Sequence, residues 1–525
     1  MARRAQPLSP ALALGWGAAA LLLALTLGTI LAVAWRAEAA ARLGAADWAA
    51  IRFTAWQALL SAAISVALAI PAARALARRR FRGRGVLITL LGAPFILPVI
   101  VAVLGLLAVF GRAGLVSGLI APLGLGPLSI YGLQGVVLAN VFFNLPLATR
   151  LILQGWHAIP AEHFRLAAQL GMGPAEIARH LERPMLRAVV PGAFAAIFLI
   201  CITSFAVALT LGGGPRATTV ELAIYQAFRF DFDLGRAALL ALVQFGLCAI
   251  AAAAALIVAV PVAFGAGLDR TVQRWDAGGR AYRWGDAALL TLVAGFLLLP
   301  LAMVAAGGLA ALPGLPASVF EAALRSLAVA LASTALTLGL GIALASAIVR
   351  LRDRPRRAGF LEAVGYLSIA ASPMVIGTGL FILLFPVADP VALALPVTAL
   401  VNAAMSLPFA LRALIPAIRD VSETYGRLSE SLGIGGWTRF RLVTLPRIRR
   451  PLGFAAGLST ALSMGDLGVI ALFADPDQAT LPLQLYRLMA AYRMEDATGA
   501  ALLLLCLSLA LFWIFDRGVR VGTDT

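Results

Sequence analysis

IPAEHFRLAAQLGMGPAEIARHLERP, from Ile159 to Pro184, and VSETYGRLSESLGIGGWTRFRLVTLP, from Val421 to Pro446, are two copies of one charged stretch set 262 residues apart. The register extends upstream without a gap. Asn140, Leu145-Pro146, Arg150, Leu170-Gly171 and Pro184 recur as Asn402, Leu407-Pro408, Arg412, Leu432-Gly433 and Pro446. The chain is therefore a duplicated protein, and the duplication has kept something polar. A stretch this rich in arginine and glutamate does not sit in hydrocarbon.

The remainder is apolar. Of 525 residues 61% are hydrophobic and 13% charged, the mean hydropathy is +0.94, and many apolar runs approach the ~20 residues that cross a bilayer as a helix. This is a polytopic membrane protein. The first run, Gly15 to Ala34, is too long for a signal-peptide core and lacks a clear small-residue cleavage site before Trp35. It reads as a retained span, with a signal anchor as the alternative.

All 42 basic residues are arginine, since the sequence has no lysine. A Walker A loop needs a lysine for the terminal phosphates, and Schiff-base chemistry needs a lysine amine, so neither is open to this chain by the usual route. Any ATP hydrolysis must come from another polypeptide. The net charge of +17 bears on topology through the placement of each arginine rather than on nucleic acid. Cys201, Cys248 and Cys506 lie in apolar runs and are odd in number, which reads as small core or lipid-facing residues, not a disulfide framework.

Apolar windows predict an all-α membrane protein of about twelve transmembrane helices. They fall near 11–35, 55–77, 86–110, 131–153, 189–211 and 236–264, then near 286–311, 324–349, 360–385, 393–415, 452–473 and 496–516. With Arg3 and Arg4 inside, the inner loops hold the cluster from Arg74 to Arg84, the loops around Arg165, Arg274, Arg354 and Arg441, and the tail residues Arg517 and Arg520. Most of the arginines then lie inside, as the positive-inside rule asks, with both termini cytoplasmic. Six spans per half is an even number, so the halves form a parallel repeat and both charged copies face the cytoplasm. Ser61 to Ile70 resembles Ser333 to Ile342, and Ala217-Thr218 matches Ala479-Thr480. The polar segment from Thr271 to Trp284 reads as the linker between halves.

Each charged copy reads as two short helices. Pro160 and Glu162 in one, and Ser422 and Glu423 in the other, are helix-start residues, and Gly171 and Gly433 suit the position that ends the first helix. Leu166 and Leu170 share one stripe, which fits a knob docking into a groove on a soluble partner. The alternative is an amphipathic helix lying on anionic lipid. Two copies in strict register favour a twofold-related partner.

A small-residue triplet, a glycine six positions after its start and a proline thirteen after the glycine resemble the EAA loop of type I ABC importer permeases, and Gly171 to Pro184 and Gly433 to Pro446 both keep that thirteen-residue step. The resemblance covers nearly the whole chain, as two MetI-like six-helix halves fused in one polypeptide. It implies the first unit at 51–262 after a first span and outer loop at 1–50, a linker and span seven at 263–318, the second unit at 319–516 and a tail at 517–525. It also implies that Arg165, Leu166, Ala167, Ala168, Gly171 and Pro184, with Arg427, Leu428, Ser429, Gly433 and Pro446, form coupling loops that enter clefts on two separate ATPase subunits. The motif's glutamate is replaced by Arg165 and Arg427, and its following alanine by Leu166 and Leu428.

LGGGPRATTVELAIYQ (Leu211 to Gln226), GDLGVIALF (Gly465 to Phe473) and TLPLQLYRLMAAYRM (Thr480 to Met494) are similar to thiamine and thiamine-pyrophosphate importer permeases. Fused ferric-iron permeases share the architecture and are the runner-up. The resemblance implies a bacterial inner-membrane subunit, a periplasmic substrate-binding protein delivering the cargo, ATP used by the partner and no cofactor held by this chain.

Inside the membrane, Asn140 and Asn402 precede Leu-Pro pairs, which suits either a cavity wall or an interhelical hydrogen bond. Asp466 is an acid in an apolar run whose repeat mate is Ser204. It suits a pathway for a cation such as thiamine, or a pairing with arginine. Phosphorylated cargo would need outer cations, and Arg216, Arg229 and Arg236 are placed for it. His157, His163 and His180 align with Arg419, Tyr425 and Leu442, and their spacing does not build a metal site. An ion-coupled secondary transporter, the rival class, would be expected to concentrate acids or histidines in its spans. A membrane enzyme has no converging carboxylates, metal ligands or Ser-His-Asp set to support it.

Overall fold

The computed structural model describes residues 10–37, 42–92, 96–124, 126–212, 214–258, 279–473 and 475–518, and among them are helices and loops but no strand. Eleven helices are long and apolar enough to cross a membrane, and one bent pair makes a twelfth span. Spans one to six are Ala11–Arg36, Ala45–Arg78, Val99–Leu123, Leu133–Ala158, Pro174–Ile202 and Leu234–Ala255. Spans seven to twelve are Arg280–Gly314, Ala317–Arg350, the pair Pro355–Ala370 and Pro373–Leu384, Ala394–Ser431, Arg449–Phe473 and Met494–Arg517. Each apolar window of the sequence falls on one of them. The linker expected from Thr271 is shorter at its far end, because span seven is already helical at Arg280. Arg3, Arg4, Arg274 and Arg520 lie outside the described residues.

Span nine turns through 94° at its break, and three residues account for the turn. Pro373 opens the second helix and disfavours helical geometry before it. Ser372 is accordingly extended (φ −71°, ψ 155°), and its hydroxyl accepts the Val375 N–H at 3.2 Å, the bond of an N-cap.

Each half is built around one intimate helix pair, span two with span four and span eight with span ten. Ala58, Ser61, Ala62, Ser65 and Ala69 are buried along span two, and side chains this small let backbones approach where no hydrophobic force drives association. The first span of each half packs on the other half. Span one lies along spans eight and nine, where Trp16 stacks on Phe360 at 5.9 Å between ring centres. Span seven lies on spans two and three, where Phe296 meets Phe110 at 6.4 Å, and it reaches Phe142 of span four at 5.6 Å.

Candidate functional site

The two charged copies form protruding knobs of closely matched shape. The first has the helix Ala161–Gln169, and the second uses the end of Ala394–Ser431. Both end at a glycine with φ +66°, Gly171 and Gly433. Met172 N–H donates to Ala167 O at 3.0 Å and Gly171 N–H to Ala168 O at 3.1 Å, while Ile434 donates to Ser429 at 2.8 Å and Gly433 to Glu430 at 3.1 Å. This is the Schellman pattern, which needs a left-handed residue and therefore favours glycine.

Side-chain directions repeat as closely. Leu166 and Leu170 are 54% and 63% exposed, and Leu428 and Leu432 are 55% and 63% exposed. Ala167 and Ser429 are buried against the bundle, whereas Arg165 and Arg427 point outward and Ala168 is exposed. Only the third triplet position is confined, which is why it alone stays small here. Both copies then pass through a π-helical turn, Ala178–Glu182 and Phe440–Thr444, just before Pro184 and Pro446. A proline cannot donate to the carbonyl four residues back and crowds it, and widening the preceding turn relieves both demands.

The copies differ in three places. Ile159 is extended (ψ 121°) before Pro160, so the first knob helix is separate from span four. At the equivalent Ser422 the helix runs on unbroken for 38 residues, so the helix start expected there is corrected: serine is tolerated inside a helix, and nothing in the second copy removes the backbone N–H that Pro160 lacks. Glu182, buried in the first knob, lies 2.9 Å from Arg74 of span two and accepts from Trp156 Nε1 at 3.3 Å. Its mate is Thr444. The second knob instead exposes Trp437, stacked on Phe440 at 5.3 Å, and holds the Arg447 guanidinium 3.8 Å above the Tyr425 ring.

Within the membrane, Asn140 is a tie. It donates to Gln57 Oε1 at 2.8 Å and accepts from Ser204 at 2.9 Å, and Gln57 donates in turn to Cys201 O at 2.7 Å. Spans two, four and five are joined through it. Asn402 donates to Ser463 at 3.1 Å and lies beside Asp466. Asp466 Oδ1 accepts the Gly468 N–H at 3.2 Å, and Oδ2 is buried without a hydrogen-bond partner among the described residues. Its loop abuts the opposite half, because a Cβ added at Gly465 would stand 3.2 Å from Pro98 Cα.

A second carboxyl escaped the sequence reading. Glu221 of the first half is buried between Gln244, which donates to Oε1 at 3.3 Å, and Ser372 at the break in span nine, while Oε2 has no partner among the described residues. Glu221 and Asp466 therefore occupy reciprocal places on the seam between halves. The available signal was an acid at the start of a mostly apolar helix, Val220–Arg229, whose repeat mate is the apolar Leu483. In the helix Leu481–Ala490, burial draws the Arg487 guanidinium below its ordinary value, and the Arg229 charge adds to the effect. Among the described residues, no three His, Cys, Asp or Glu side chains gather as metal ligands.

No protein-family model matches the chain. Curated relatives do. The thiamine transport system permease protein ThiP of Escherichia coli (strain K12) is 42% identical over 539 aligned positions covering 100% of both chains. The ThiP protein of Brucella abortus (strain 2308) is 41% identical over 98% of this chain and 97% of its own. That of Haemophilus influenzae is 35% identical over 87% and 86%. Identity of this order over essentially the full length of both chains places the chain in the ThiP family of thiamine transport system permeases.

Proposed function

We propose that this chain is the inner-membrane permease of an ATP-driven, binding-protein-dependent importer of thiamine or thiamine pyrophosphate. The observation that carries the reading is end-to-end identity of 42% with a thiamine transport permease, together with two matched knobs that expose leucine on one face. Two copies of a separate ATPase grip the knobs on the cytoplasmic side, where both termini also lie. A periplasmic protein delivers the cargo to the opposite face.

The knobs transmit motion along different routes. In the second half, span ten is one helix from Ala394 to Ser431 with Pro408 and Pro416 inside it, so displacement at Leu428 reaches Asn402, about 39 Å along the helix at 1.5 Å per residue, through unbroken helix. In the first half the chain breaks at Pro160, and the pair Arg74 and Glu182 carries the load to span two. Closure of the ATPase dimer moves both routes together and opens the seam between halves. A buried carboxylate without a countercharge costs several kcal/mol. Asp466 and Glu221 at that seam recover part of this cost when a thiazolium cation passes, and Arg229 and Arg487 at the outer mouth suit a phosphorylated cargo.

The test is to purify the chain with its ATPase, reconstitute it, and measure ATP turnover with binding proteins loaded with thiamine, thiamine pyrophosphate or ferric iron. Stimulation by the thiamine forms is expected. Failure to retain any ATPase refutes the importer reading, and stimulation by the iron-loaded protein alone replaces thiamine with iron.

A further inference from the structure

On the knob face of the bundle, the chain leaves span two through Arg78, Arg79, Arg80, Phe81 and Arg82, and this turn forms one wall of a cavity of about 950 Å³ against span seven. The cavity has a cationic mouth. Arg283 of span seven adds to the four arginines of the turn, and the single acid lining it is Asp286. That carboxylate is buried and is held by Arg78 Nε at 2.8 Å and Arg79 Nε at 2.6 Å. Asp286 thus orders two arginines and leaves a surplus of positive charge, with Arg82 and Arg283 exposed at the rim.

The deeper wall is apolar. Leu290, Ala294 and Leu298 line it at intervals of four along span seven, and Val86 and Leu90 face them. Val86 is 74% exposed and Leu298 is 47% exposed, so this wall opens sideways from the bundle. Exposed Tyr282 and Trp284 flank Arg283, and amphipathic rings of this kind mark the headgroup level of a bilayer. Cations at headgroup depth above an apolar wall that descends into the hydrocarbon match a ligand with an anion at one end and acyl chains at the other.

We propose that this cavity binds an anionic phospholipid of the knob-side leaflet, with its phosphate between Arg82 and Arg283 and its chains along Leu290, Ala294 and Leu298. The site belongs to one half only: Trp284-Gly285 matches Trp16-Gly17 of span one, which puts Ala18 where span seven carries Asp286. It also adjoins the coupling route. Arg74, which holds Glu182 of the first knob, lies one helical turn before Arg78, so a bound lipid braces the end of span two against which that knob moves.

The experiment uses the full chain in vesicles of phosphatidylcholine with and without phosphatidylglycerol, followed by native mass spectrometry of the retained lipid. Retention of phosphatidylglycerol over phosphatidylcholine is expected, falling about fivefold for Arg283→Gln and roughly 25-fold for the Arg82→Gln, Arg283→Gln double variant. A control double variant, Arg42→Gln with Arg112→Gln, loses the same charge elsewhere and keeps retention. Matching helix content and melting curves establish that the variants fold, and the exposed single variant serves if the double does not. Equal retention by the native chain and the Arg283 variant overturns the proposal. So does displacement of the lipid by inorganic phosphate alone, which would make the cavity a free-anion site. The measurement involves neither ATPase nor thiamine, so its outcome is independent of the transport reading.

Discussion

The Glu182 carboxylate stands 2.9 Å from the Arg74 guanidinium and fastens the first knob to the end of span two, whereas the second knob has Thr444 at the same place and is continuous with its own span. One machine therefore has a latched arm and a rigid arm.

Glu182→Gln should loosen the latched arm. Loss of this partly buried ion pair costs ~1 kcal/mol locally, and thiamine uptake is expected to fall severalfold while ATPase still co-purifies. Thr444→Val, at the matching position of the rigid arm, should leave uptake close to the native rate. Equal losses in the two variants would show that the latch carries no load.

Gly171→Ala and Gly433→Ala test the left-handed turns. No neighbour lies within 4 Å of a Cβ at either site, so the effect is purely one of backbone, about 1–2 kcal/mol. Transport-coupled ATP turnover should drop in both, and Asn, which tolerates this geometry better, should restore part of it. An alanine variant with native turnover would mean that the turn is not needed.

The exposed leucines should matter to a partner and not to the fold. Leu166→Ser with Leu170→Ser, or Leu428→Ser with Leu432→Ser, should melt like the native chain. At ~1.5–3 kcal/mol per leucine reburied on docking, retention of ATPase in a pull-down should weaken by roughly a hundredfold or more. Unchanged retention would move the docking surface elsewhere.

Asp466→Asn and Glu221→Gln keep shape and remove the ionisable carboxyl at the seam. Each should lower thiamine uptake by about tenfold or more, equivalent to ~1.4 kcal/mol, with ATPase association intact. The same variants should raise thermal stability slightly, since a buried carboxyl with an unpartnered oxygen is costly. Native uptake in both would remove the seam from the route.

Much of this was legible in the sequence because the features are periodic or repeated. Twelve apolar windows locate twelve spans, and Gly171 and Gly433 announce their turns because few other residues hold a positive φ. The π-helical turns were not legible, since no residue type signals them and only Pro184 and Pro446, already known as landmarks, explain their position. Ser422 misled for a related reason: a capping residue permits a helix start but does not compel one, whereas Pro160 does. Glu221 was missed because its helix lies between spans five and six and was read as an outer segment. Its meaning depends on Gln244 and Ser372, which only the fold brings beside it.

The exchange of first spans has a consequence for how the protein is made. Span one, Ala11–Arg36, is among the earliest parts of the chain to enter the membrane, yet its packing surface on spans eight and nine does not exist until synthesis has passed Leu384. At roughly 5–20 residues per second the wait is of the order of tens of seconds. Through that interval the helix has only the contact of its far end with span six and otherwise persists in lipid on its own hydrophobicity, which its uncharged stretch from Ala11 to Trp35 allows. Final assembly is then a docking of helices already inserted, and a ribosome that stalls before the second half leaves a first half whose spans two and three still lack span seven.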